Sequence, residues 1–176
     1  MLKSPEIQFV ITQDDNLTKI SELINFYYKN KNKKTCIGGA IDVHTLVAMV
    51  VLLTAHINSQ KECELLDESL WSYDNISFIP HNIYSSNNMS LSPVLIANKS
   101  LIPQITKYNM LINFSDIVLS QYSSIDKIIE IVMPDTEKKA ISRSHYKFYK
   151  MNGIEVTTHN LEEIIEIKKV EEYEPN

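Results

Sequence analysis

The chain has 176 residues, a formal net charge of -5 at pH 7, 44% apolar residues and 22% charged residues. That length is one domain with room for a sizeable core, and the composition is that of an ordinary globular chain rather than a disordered one. The acidic balance excludes a uniformly basic nucleic-acid-binding domain. Two cysteines, Cys36 and Cys63, exclude a disulfide framework and fit a reducing cytoplasm, where they read as small hydrophobes rather than zinc ligands.

In chain order, the opening MLKSPEIQFV lacks the apolar stretch of a signal peptide, and IQFVIT (7–12) reads as a first strand. DDNLTKISELINFYYKN (14–30) predicts a helix, with Asp15 or Asn16 as N-cap and Leu17, Ile20, Ile24, Tyr27 and Tyr28 along one face. The stretch 29–45 is assigned to a loop or insertion. TLVAMVVLLTA (45–55) is too short to cross a bilayer and reads as a strand region. INSQKECELLDESLW (57–71) follows as a helix that groups Cys63, Leu66 and Leu70.

Further strands are predicted at SFIPHNI (77–83), SPVLIA (92–97), MLINFS (110–115), IIEIVM (128–133) and IEVTTH (154–159). Several are almost continuously apolar, as strands covered on both faces are. Strands alternating with helices specify an α/β fold, a three-layer sandwich on a mostly parallel, Rossmann-like sheet. The domain is assigned to 1–160. Residues 161–176, LEEIIEIKKVEEYEPN, are an acidic C-terminal extension expected to form a short helix or strand.

The chemistry of nucleotide binding is missing from this architecture. The chain has three glycines, Gly38, Gly39 and Gly153, and the first strand runs into acidic, glycine-free QDDNLTK. A phosphate-cradling turn needs glycines there, so no cofactor is expected. Catalytic spacing is equally hard to find. His44, His56, His81, His145 and His159 form no HxxxH or HExxH pair, and no GxSxG elbow occurs. His81, at a strand end, is the one histidine placed for a site, although a hydrogen-bonded structural role is the plainer reading.

What stands out is a charge asymmetry. DTEKKAISRSHYKFYKMNG (135–153) carries Lys138, Lys139, Arg143, Lys147 and Lys150, with its acids confined to the front. Pro134 closes the preceding strand, Asp135 or Thr136 can cap a helix, and Gly153 can end it. At about 100° per residue, Lys139, Arg143, Tyr146, Lys147 and Lys150 fall in one stripe. Ile141, Ser144, Phe148 and Met151 fall on the other side, toward an expected core. A helix that is merely solvated also carries lysine and arginine outside. Such a helix usually mixes signs, because like charges one turn apart repel. The stripe therefore points to an anion site, with Arg143 as a bidentate carboxylate donor. Phosphate and an acidic peptide both suit it, and the acidic remainder of the chain favours a peptide.

Two stretches then carry a family resemblance. LLDESLWSYDNISFIPHNI (65–83) and AISRSHYKFYKMNG (140–153) resemble the LDE-x-LW, S-F-x-P-H-N and basic RxxYKxY patterns of the chi subunit of bacterial DNA polymerase III, in the same order. The likeness extends over about residues 6–160. It implies an α/β fold without nucleotide chemistry and a non-catalytic replication subunit. Such a subunit binds the acidic C-terminal tail of single-stranded DNA-binding protein and links it to the clamp-loader assembly. The tail-binding positions implied are Lys139, Arg143, Tyr146 and Lys147. Leu66, Leu70, Trp71, Phe78 and Pro80 match the region that contacts the psi subunit. Taken without the family, Trp71 reads as a core residue closing a helix. The segment after the first helix and the acidic end depart from the family pattern, and an acidic end of this kind can fold back on the basic stripe and compete with its ligand. The alternative functions are direct binding of single-stranded nucleic acid through 138–150, and an enzyme built on His81.

Overall fold

The structure, a computed structural model, describes residues 4–13, 17–35, 53–57, 59–72, 78–84, 92–98, 110–118 and 125–172. In chain order these form β1 (Glu6–Ile11), α1 (Leu17–Thr35), β2 (Leu53–Ile57), α2 (Gln60–Ser72), β3 (His81–Ile83), β4 (Val94–Asn98), β5 (Met110–Asn113), β6 (Lys127–Val132), α3 (Thr136–Met151), β7 (Val156–Asn160) and α4 (Leu161–Glu172). The strands make one seven-stranded sheet in the order β3-β4-β2-β5-β6-β1-β7. Every pairing in it is parallel. The α/β reading holds, and each predicted strand region overlaps an observed strand. Asp15, Asn16, Cys36, Gly38, Gly39 and His44 lie outside the described residues.

Side-chain alternation along the strands builds two cores. On β1, Val10 joins Ile129 and Ile131 of β6 and Met110 and Ile112 of β5 on one face. That face is covered by Ile20, Leu23 and Ile24 of α1 and by Cys63, Leu66 and Leu70 of α2. A hydrogen bond of 2.9 Å between Ser21 Oγ and Ser69 Oγ ties these two helices together. On the other face Ile7 and Phe9 join Leu111 and Ile128, and Tyr149 of α3 packs on them. Helices on both faces give the three layers. Cys63 is fully buried, and burial with the neighbouring Glu62 and Glu64 charges pushes its thiol up to about 11, which leaves it inert.

The described part of the acidic extension, 161–172, does not lie over the basic segment. Residues 161–172 are helix α4, whose Leu161, Ile164 and Ile165 pack into the core shared with α1 and α2. This is the sheet face opposite α3. At its start Glu163 reaches back to Asn160, accepting from the Asn160 backbone N–H at 3.3 Å and from Asn160 Nδ2 at 2.9 Å. The apolar spacing Leu161, Ile164, Ile165 is what makes this segment part of the domain rather than an appendage.

Candidate functional site

Helix α3 begins and ends as its sequence requires. Asp135 is the N-cap, accepting from the N–H groups of Glu137 at 2.9 Å and Lys138 at 3.0 Å. The Lys138 N–H bond, then the Glu137 bond and the Lys138 charge, hold its carboxyl below the usual range. At the other end Gly153 takes φ 71°, the left-handed region that stops a helix. A Cβ at Gly153 would meet nothing within 4 Å, so Gly153→Ala tests backbone strain alone. It is expected to cost about 1 kcal/mol, read as a lowered denaturant midpoint with an unchanged slope.

The buried face of α3 is Ser142, His145 and Tyr149. This corrects the expectation that Ile141, Ser144, Phe148 and Met151 face the core: Met151 is 86% exposed and Ser144 is on the surface, while Ile141 and Phe148 flank the contact. The helix is rotated toward polar groups because its floor is a buried carboxylate. Glu130, on β6, is 2% exposed. It accepts from Tyr149 Oη at 2.7 Å and from Asn113 Nδ2 at 3.1 Å, and His145 Nδ1 lies 3.0 Å from its Oε2. Asn113 in turn accepts from Ser115 Oγ at 2.8 Å, and His145 Nε2 donates to the Asp116 carbonyl at 3.3 Å.

With a carboxylate at one ring nitrogen and a carbonyl at the other, the imidazole is built to be charged. Burial alone opposes this, but the Glu130 hydrogen bond and charge, with the Asp116 carbonyl and carboxylate, outweigh it and raise the His145 pKa. A raised folded pKa contributes stability that is complete below the unfolded value of about 6.5 and is lost as pH rises through the folded value. The denaturation midpoint of the protein is therefore expected to fall from about pH 6 to about pH 8. In His145→Gln this part of the slope is absent, as paired melts at the two pH values will read.

Above this floor lies the basic row. Arg143, Lys147 and Lys150 are exposed, Lys139 is half-buried and Tyr146 is 39% exposed. Tyr146 packs edge-on against Phe9 of β1 with centroids 5.6 Å apart, and Lys150 Nζ sits 5.8 Å above its ring. Among the described residues none of these four cations has a carboxylate within 4.0 Å. All four residues assigned to tail binding thus share one flank of α3, joined by Lys150. A small recess of about 30 Å³ opens on the opposite flank, between α3 and Phe114, Ser115 and Asp116.

The second set divides. Leu66 and Leu70 are 0% and 4% exposed and belong to the core, because α2 buries that edge against the sheet. They are closed to a partner. Trp71 at 60% and Phe78 at 61% stand outward with ring centroids 5.2 Å apart, beside half-buried Pro80. Trp71 is therefore not a core residue. Leu65 is also exposed, at 43%, and was hidden in the sequence because it neighbours Leu66 in a continuous apolar pair.

His81 lies beneath this patch, 5.1 Å from the Trp71 ring. Its Nδ1 donates to the Ile79 carbonyl at 2.6 Å. Nε2 is 3.3 Å from Asp67 Oδ1, within ion-pair distance though not aligned as a hydrogen bond. That is a structural histidine. No group of three potential metal ligands occurs among the described residues, and no described helix is long and apolar enough to cross a membrane.

The family model and the sequence relatives agree with one another. A family model described as DNA polymerase III chi subunit, HolC, matches residues 24–157. DNA polymerase III subunit chi of Haemophilus influenzae is 27% identical over 107 residues, covering 60% of this chain and 74% of that protein. Its counterpart in Escherichia coli is 26% identical over 102 residues, covering 56% and 67%. Among solved structures, the C-terminal domain of the DEAD-box protein Dbp5 superposes with a TM-score of 0.57 over 94% of this chain and 95% of that one. S. cerevisiae Dbp5 bound to RNA and ADP BeF3 gives 0.59, and there the chain spans only 44% of the neighbour. At 14% and 13% identity these two share the fold alone.

Proposed function

The chain belongs to the DNA polymerase III chi subunit family, a replication accessory role, and from that membership we propose a non-catalytic adaptor that holds the acidic C-terminal tail of single-stranded DNA-binding protein on α3. The observation that carries this reading is the row of cations that, among the described residues, have no carboxylate partner, set around half-exposed Tyr146. Lys139, Lys147 and Lys150 supply field, Arg143 a bidentate fork, and Tyr146 apolar surface for the end of the tail. No cofactor enters the reading.

A second contact completes the adaptor. Trp71 and Phe78, with Pro80 beside them, form an aromatic patch on the α2 side, away from α3. It suits the psi subunit or an equivalent clamp-loader partner, since exposed Trp and Phe side by side are interface anchors. The test is a titration of the C-terminal peptide of single-stranded DNA-binding protein, with a random single-stranded oligonucleotide in parallel. Saturable binding of the peptide, about micromolar given the small worth of exposed ion pairs, with no oligonucleotide binding, is the expected result. Oligonucleotide binding that falls steeply with salt, without peptide binding, transfers the helix to nucleic acid and removes the adaptor.

A further inference from the structure

Among the described residues, the outer strand on the α3 side is an open edge. β7 pairs with β1 alone among the described residues, and four of its five side chains, Thr157 to Asn160, are exposed. A parallel edge strand directs alternate backbone N–H and C=O groups outward, ready to pair with another chain. Natural edges are blunted by lysine, proline or bulges. β7, VTTHN, has no lysine or proline, keeps an unbroken register with β1 from Val156 to Asn160, and holds two strand-favouring threonines. The opposite edge, β3, is only three residues long.

The basic row lies along this edge. Phe9 pairs in register with Thr158 and Ile7 with Val156, so those β7 side chains share the sheet face that α3 covers. Tyr146, inside the row, rests on Phe9, whereas the other flank of α3 meets Phe114 to Asp116 beyond β6. The row therefore borders β1 and β7. Its length matches the edge: Lys139 to Lys150 spans about 16 Å along a helix, and five strand residues span about 16 Å. One extended segment can follow both.

We infer that the acidic peptide is held as an eighth strand, added to the free edge of β7 alongside the cations of α3. The inference rests on the tail-binding reading of α3 and specifies how that peptide is gripped: backbone to backbone along β7, with side-chain charge supplied from one side. It also predicts an inequality along the peptide. Side chains of an added strand alternate between the α3 face and the opposite face, where α4 exposes Glu163 and Glu166. Carboxylates are favoured at the first set of positions and repelled at the second.

The test is an N-methyl scan of the C-terminal peptide of single-stranded DNA-binding protein against the full chain, joined to amide hydrogen exchange with and without unmodified peptide. N-methylation removes one backbone donor and leaves every charge. Expected are losses of about tenfold at every second peptide position, with slowed exchange in β7 and none in β3. Binding that depends on Arg143 but shows a flat scan and unchanged β7 exchange overturns the added strand and leaves the tail reading standing. Protection at β3 instead of β7 overturns it as well. A peptide that does not bind at all removes both.

Discussion

Glu130→Ala is expected to lower unfolding stability by about 3–5 kcal/mol. The substitution removes the shared carboxylate partner from three groups in a closed site. Tyr149 Oη loses its acceptor at 2.7 Å, Asn113 Nδ2 loses both carboxylate oxygens at 3.1 Å, and His145 loses the anion at 3.0 Å that stabilises its charge. Each is buried, so water does not replace the lost partner. The pair itself need not beat an apolar set of equal volume; what is costly is removing one member and leaving the rest. Glu130→Gln separates the contributions. It keeps volume and an acceptor for Tyr149 but sets an amide N–H₂ against Asn113 or His145, and should cost about 1–3 kcal/mol. Urea denaturation followed by circular dichroism measures both. A loss under about 1 kcal/mol in Glu130→Ala would mean that the network is not what fastens α3 to β6. A double-mutant cycle with His145→Gln gives the coupling directly.

That network marks the boundary of what the sequence makes legible. The strands are readable because Val94 to Ala97 and Met110 to Ile112 are continuously apolar and Ile7, Phe9 and Val10 are interrupted only by Gln8, all buried on both faces. Both ends of α3 are readable too, since Asp135 and Gly153 act through local backbone geometry. The stripe follows from spacing alone, and its cations lie on one flank as that spacing requires. The buried face of α3 is different. Apolar periodicity selects Ile141, Phe148 and Met151, but the helix turns Ser142, His145 and Tyr149 inward because the strand beneath carries Glu130. The signal for this is one residue: a glutamate at the centre of IIEIVM, where a strand covered on both faces must supply it with partners. Finding those partners requires tertiary proximity, which no local pattern encodes. The second surface misleads for a related reason. Leu66, Leu70 and Trp71 look equivalent along α2, and only the sheet's position decides that two are core and one is surface.

Arg143→Ala is expected to weaken binding of the acidic tail peptide about ten- to hundredfold, against a few-fold for Lys139→Ala or Lys147→Ala. A lysine ammonium is a hydrated point charge whose exposed ion pairs contribute little, whereas the guanidinium offers two parallel N–H donors to one carboxylate. Arg143 is the one such donor in the row, one turn from Lys139 and from Lys147, and it is exposed with no carboxylate partner among the described residues. Arg143→Lys tests the mechanism rather than the position. It restores charge without the fork, so affinity should recover only in part, and the salt dependence should return toward that of the wild-type chain. Neither variant touches a core contact, and both should melt with the wild-type protein, so that a loss of affinity reads as a lost contact. Titration calorimetry at two salt concentrations resolves the three proteins. Equal affinity for all three would assign the grip to backbone and apolar contacts, with the cations reduced to steering. A lysine variant as strong as wild type would replace the fork by charge density alone.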